Sequence, residues 1–261
     1  MFKAVFTYRH FILESIKREF LQKYANSFLG ALWAVLNPLS MIAIYTLVFS
    51  QIMKAKLPGI DSSFAYSIYL CAGIIPWALF VEISSRSVNV FMDNANFLKK
   101  IRMPKICFPI IIVGSACINF IITSVLFFIF LAVAGFLPGY IILYSIPLVL
   151  AIIILSVSIG IFLGVLNVFF RDIGQFFNIF VQFLFWFTPI VYPVNIVPER
   201  FRFAIYYNPF TVIIDGFHSV FIDRAAPDFY SMSPLFIGIT VFALFTLYFF
   251  RKHSEEIIDE L

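Results

Sequence analysis

From Ile106 to Phe170 the sequence runs for 65 residues without an Asp, Glu, Lys, Arg or His. The hydrocarbon core of a bilayer is crossed by about 20 helical residues, each rising about 1.5 Å. The run is therefore too long for one crossing and suits two. Its break falls at Leu137-Pro138-Gly139-Tyr140, where Pro removes a backbone donor and Gly accepts turn geometry. The pattern predicts a hairpin of helices near 110–136 and 141–168. Lys99, Lys100, Arg102 and Lys105 flank it on one side and Arg171-Asp172 on the other. Short basic loops stay in the cytoplasm, so both ends of the hairpin are expected inside and its tip outside.

Only 12% of the residues are charged and 62% are hydrophobic, against about 25% charged in an ordinary soluble domain. An all-α polytopic membrane protein follows. Cys71, Cys107 and Cys117 form no CxxC pair and read as packing thiols. Charges scattered through the first 23 residues leave no apolar core for a cleavable signal. Residues 1–30 instead read as an amphipathic helix in the cytoplasmic interface, with Lys17, Arg18, Lys23 and Tyr24 toward its end.

The remainder, 31–261, divides into spans near 33–53, 64–90, 108–136, 141–168, 173–192 and 230–250. In the first, Trp33, Asn37, Ser40, Ile44, Leu47 and Gln51 recur at steps of three or four, so a mildly polar stripe should face protein or water. In the second, Glu82 and Arg86 stand at i, i+4 and pair on one face, as structural neutralisation or as part of a gate. In the fifth, Gln175, Asn178 and Gln182 share one face while Phe176, Phe180, Phe183 and Phe187 form another. The amides either join helices or line a hydrated path. Residues 189–222, broken by Pro189, Pro193, Pro198 and Pro209, suit re-entrant or interfacial helices between spans five and six. Six spans place both termini inside, with 13 of the 18 Lys and Arg on inner segments.

No P-loop, HExxH, GxSxG or Cys/His metal spacing occurs, and His10, His218 and His253 are scattered. No acidic relay of the kind a proton-driven carrier uses stands at the span centres. The chain reads as a conduit without an engine, whose power arrives through a partner at the inner loops. The segment Asn94-Ala95-Asn96-Phe97-Leu98-Lys99-Lys100-Ile101, stopped by Pro104, predicts a short helix offering Phe97, Leu98 and Ile101 as knobs.

Three stretches resemble the membrane subunits of ABC-2-type exporters, in particular the polysaccharide and O-antigen permease family. They are Arg18 to Trp33 followed by Asn37-Pro38; Asn94 to Pro104, with Met103 where the family often has Phe; and Arg171-Asp172-Ile173 followed by Pro189-Ile190-Val191-Tyr192-Pro193 and Asn208-Pro209. The resemblance implies a homodimer of six-span subunits served by two cytoplasmic ATPase subunits. ATP and Mg would be bound by those partners and no cofactor by this chain. It implies that Asn94, Phe97, Leu98, Lys99, Lys100, Ile101 and Pro104 couple to the ATPase. Residues 189–222 would close the outer mouth, and the cargo would be a lipid-linked polysaccharide crossing the inner membrane.

Sugars present flat C–H faces beside hydroxyls, so a path for them calls for aromatic platforms and neutral amides. Trp33, Asn37, Gln51, Tyr66, Tyr69, Trp77, Gln182, Phe185 and Trp186 are the lining candidates. Glu82, Arg86, Arg171 and Asp172 are candidates for a cytoplasmic gate or brace. A drug or lipid exporter of the same fold, a membrane-embedded glycan enzyme and an unpowered channel remain as alternatives.

Overall fold

In the computed structural model, described here for residues 6–24, 27–52, 64–100 and 103–260, the chain is helical throughout. The helices are α1 (Arg9–Tyr24), α2 (Trp33–Tyr45), α3 (Ala65–Asp93), α4 (Ala95–Lys100), α5 (Cys107–Ala134), α6 (Ser145–Phe169), α7 (Ile173–Phe187), α8 (Glu199–Tyr206), α9 (Pro209–His218), α10 (Ser233–Lys252) and α11 (Glu256–Glu260). Short 3-10 or π turns extend α2 at both ends, precede α6 and continue α9 to Asp223. Among the described residues five helical stretches are long and apolar enough to cross a membrane: Gly30–Phe49, Ala65–Asp93, Cys107–Ala134, Gly139–Phe169 and Ser233–Lys252. Ile101 and the loop 54–63 lie outside the described residues, as do the side chains of Tyr24, Gln51 and Lys100.

The expected hairpin is present. α5 stops at Gly135, whose φ of +71° is a conformation Gly accepts without a Cβ clash. The Phe136 N–H then closes on the Leu131 carbonyl at 2.9 Å, capping the helix end.

α3 is the axis of the fold, buried over most of its length and touched by α2, α5, α6, α7 and α9. Its broadest contact is with α6, and the sequence explains why. Gly160 and Gly164 of α6 lie against Ser84 and Ser87 of α3, so the two backbones meet without intervening side chains. A Cβ added at Gly164 would stand 2.7 Å from the Ser87 carbonyl oxygen, and one at Gly160 would overlap the Ser87 side chain. In lipid, where helices gain little from hydrophobic burial, such close van der Waals contact is a main source of association. On its far side α6 meets α10 through Phe162, whose ring lies 5.1–6.1 Å from those of Phe242, Phe245 and Phe249.

The structure differs from expectation at the fifth span. The sequence stays uncharged to Pro198, but α7 ends at Phe187 after 15 residues. Thr188 turns extended, at φ −103° and ψ 133°, because the proline after it disfavours helical geometry. At about 1.5 Å per residue α7 covers about 22 Å, less than the roughly 30 Å of a hydrocarbon core. The chain continues along α3 toward the Ala65 end, where Val191 and Tyr192 meet Tyr66 and Tyr69, and turns back through α8. Asn208 then caps α9, accepting from the Phe210 N–H at 3.0 Å with Pro209 at the first helical position. The Phe210 ring packs on Phe80 at 4.2 Å and Trp77 at 5.6 Å, beside the middle of α3. α9 therefore begins at half the height of the bundle and climbs to one end.

Gly164→Val is expected to loosen the α3–α6 contact and destabilise the fold by about 1–3 kcal/mol, the usual cost of overpacking. Gly238→Val, at a site with nothing within 4 Å, serves as the control. Thermal unfolding in detergent should show a lowered midpoint for the first only.

Candidate functional site

Two helices leave polar stripes without a partner in the subunit. On α2, Ala34 and Ile42 turn inward, while Trp33, Asn37, Ser40, Ile44 and Leu47 are exposed on one line. On α7, Gly174, Phe177 and Val181 face α3 and α6. Gln175, Asn178, Gln182 and Trp186 form a second, exposed face, and Phe176, Phe180, Phe183 and Phe187 a third. Phe185, half-buried, packs on Trp77 at 5.8 Å and on Trp186 at 5.4 Å. A helix with one anchored face and two free ones of opposite polarity separates two surroundings.

Tyr66, Tyr69 and Trp77, expected among the lining residues, lie off these two stripes. Trp77 is 7% exposed and fills the space between Phe80, Phe185 and Phe210. Tyr69 is equally buried, with its hydroxyl 3.0 Å from the Pro189 carbonyl oxygen and 2.9 Å from that of Tyr192. Tyr66 donates to the Val191 carbonyl at 2.6 Å. These tyrosines serve the extended segment after α7, whose backbone acceptors have no helical partner and no lipid can satisfy. Asn208 completes the set, its amide 2.9 Å from Thr188 Oγ1. Below them His218 stacks on Tyr69, ring centroids 3.8 Å apart, with Nε2 3.1 Å from the Tyr69 carbonyl oxygen.

At the Asp93 end, α4 follows α3 after the bend at Asn94, whose side-chain amide donates to the Val90 carbonyl at 2.8 Å. Phe97 is 46% exposed and Lys99 is exposed. Leu98, expected as a second exposed knob, is buried instead. It packs among Phe91, Phe108, Val165, Val168 and Phe250, together with Ile257 from α11. The acidic tail thus supplies an apolar anchor that turns Leu98 inward and leaves Phe97 and Lys99 at the surface. Pro104 opens the turn into α5, its carbonyl accepting from the Cys107 N–H at 3.0 Å.

Glu82 and Arg86 pair as the spacing predicts, at 3.6 Å, within a larger network. Arg86 also ion-pairs with Glu19 of α1 and donates to Ser115 Oγ at 3.4 Å, while the Asn119 amide donates to Glu82 at 2.7 Å. α1 is so tied to α3 and α5 by charge. Lys17 and Arg18 line a surface groove beside it with Phe11, Glu14 and Leu21; Lys23 closes its last turn. Arg171 and Asp172 are both exposed. Their turn is braced by Asn167, a buried residue the sequence reading passed over. Its amide lies 3.2 Å from the Val88 carbonyl oxygen, and its Oδ1 accepts from the Gly174 N–H at 2.9 Å.

These features define a polytopic, all-helical membrane protein with a polar surface left open beside its bundle. The sequence profile of the ABC-2 type transporter family matches residues 11–222, and the chain belongs to that family. It is a transport subunit and not an enzyme. Among its relatives is the O-antigen export system permease protein RfbA of Klebsiella pneumoniae, 31% identical over 83% of this chain and 82% of that one. A second RfbA from the same organism is 29% identical, covering 88% of this chain and 86% of its own. The polysialic acid transport protein KpsM of Escherichia coli is 25% identical over 86% of this chain and 89% of that one.

Tyr69→Phe removes only the hydroxyl and strands the Pro189 and Tyr192 carbonyls. It is expected to cost about 1–3 kcal/mol, the penalty of an unsatisfied buried polar group. Protease sensitivity around 189–198 should rise in the variant, whereas Tyr140→Phe, on an exposed ring, should leave it unchanged.

Proposed function

We propose that this chain is the membrane subunit of an ATP-driven exporter that moves a lipid-linked polysaccharide of O-antigen type across the bacterial inner membrane. Two copies assemble as a homodimer and two cytoplasmic ATPase subunits drive them, binding the ATP and Mg. The observation that carries this reading is the pair of free stripes on α2 and α7. On these stripes Trp33, Asn37, Gln182 and Trp186, with half-buried Phe185 beside them, offer amides and aromatic rings, suited to hydroxyls and to sugar C–H faces. A second copy would close these stripes into a path. The names of the relatives at 31% and 29% identity support the cargo class.

In this arrangement the chain crosses the membrane six times, α7 doing so together with the extended segment after it. Both termini and the Asp93 end of α3 are cytoplasmic, as the basic flanks favour. α8 and α9 are re-entrant helices at the outer mouth. Residues 94–104 form the coupling surface, with Phe97 as its apolar knob and Asn94, Lys99 and Pro104 from the same segment. α1, through Lys17, Arg18, Lys23 and Tyr24, lies along the inner interface. The network around Glu82 and Arg86 transmits movement of α1 to α3.

Phe97→Asp is expected to keep the complex in the membrane but to lower export at least tenfold, because a carboxylate cannot seat in an apolar socket. ATPase activity and export are measured together in proteoliposomes holding chain and ATPase. Export at the unmodified rate would contradict the coupling assignment.

A further inference from the structure

A cavity of about 360 Å³ lies between the segment after α7 and the upper half of α9, lined by Tyr69, Asn195, Tyr206, Asp215, His218 and Asp223 with their neighbours. Among the described residues its lining contains two carboxylates and no Lys or Arg. Arg224, which follows Asp223 directly, donates to the Gly135 carbonyl at 3.1 Å and lies over the Phe136 ring at 4.8 Å, and Arg202 donates to the backbone carbonyls of Val197 at 2.9 Å and Asn195 at 3.3 Å. His218, 7% exposed, is among the lining residues and has its Nε2 3.1 Å from the Tyr69 carbonyl oxygen. One turn below Asp215 on the same face of α9, Thr211 is 1% exposed and its hydroxyl has no hydrogen-bond partner. Tyr206 shows 60% of its surface. Tyr192, whose hydroxyl donates to the Trp186 carbonyl at 2.6 Å, joins this wall to the free face of α7.

Acceptors without cations, a ring face and an amide suit a ligand rich in hydroxyl donors. Carboxylates take paired hydroxyls in charge-assisted bonds, and the ring takes an apolar C–H face. A metal ion fits less well, since among the described residues no three His, Cys, Asp or Glu come together as ligands. An acidic sugar would meet the carboxylates of Asp215 and Asp223, two groups of its own sign. We propose that this cavity is a subsite for an uncharged sugar unit of the exported glycan and that it disfavours polyanionic chains. The proposal rests on the glycan-export reading and narrows its cargo.

The test uses the full chain with its ATPase in nanodiscs and two probes of equal length, a neutral hexose oligomer and a sialic acid oligomer. Binding is read by saturation-transfer NMR. The neutral oligomer should bind and the acidic one should not. Asp215→Asn should weaken the neutral oligomer about tenfold, and Tyr206→Ala should weaken it without changing the thermal midpoint. Asp215→Lys should raise binding of the sialic acid oligomer. Equal binding of both probes, binding of neither, or indifference to the Asp215 variants overturns the subsite. Export by the unmodified complex is followed in parallel. Export with binding indifferent to Asp215 defeats the subsite alone, whereas Asp215-dependent binding without export defeats the export reading and leaves the cavity's sugar preference standing.

Discussion

Backbone-to-backbone contact between α3 and α6 is the constraint from which the other arrangements follow. Gly160 and Gly164 let two helices of 29 and 25 residues meet at the Ser84 and Ser87 turn. In a solvent as apolar as the side chains, few other interactions hold two helices in one register. With α3 enclosed by α5, α6, α7 and α9, the flanking α2 and the far faces of α7 are left at the periphery. The polar stripes are exposed because the core is already complete without them.

The same economy governs the polar groups. Two hydroxyls on the packed faces bond within their own helices, Ser84 to the Phe80 carbonyl at 2.6 Å and Ser156 to that of Ile152 at 2.6 Å, while the Ser87 hydroxyl at the α3–α6 contact has no hydrogen-bond partner among the described residues. Where the chain leaves helical geometry, at Thr188–Tyr192, long side chains from other elements reach over to it. Where charge enters the bundle, Arg86 is surrounded by Glu19, Glu82 and Ser115. The irregular backbone after α7 and the half-buried charge of Arg86 are both met by groups from neighbouring elements.

Much of this was legible in the sequence. An uncharged run interrupted once by Pro-Gly describes a hairpin almost by itself, and helical spacing alone placed Trp33, Asn37 and Ser40 on one free line. The end of α7 left a signal too, in Thr188-Pro189, but the hydropathy beyond it stays high and masks the stop. The roles of Tyr66 and Tyr69 were not legible, because their partners lie more than 100 residues away in sequence. An aromatic ring suited to a glycan path is equally suited to carrying a hydroxyl to an orphan carbonyl. Leu98 turns inward because Ile257 comes from the far end of the chain to cover it. A six-residue helix has too little periodicity to announce that.

The two free faces of α7 give the most direct test that this polypeptide supplies a hydrated surface beside a lipid-facing one. With Cys71, Cys107 and Cys117 replaced, single cysteines at Gln182 and Phe180 are exposed to a membrane-impermeant maleimide in the assembled, exporting complex. The account predicts labelling at Gln182→Cys and protection at Phe180→Cys, with the order reversed for a lipid-soluble reagent. Equal labelling at both positions, or labelling of Phe180→Cys alone, would contradict it.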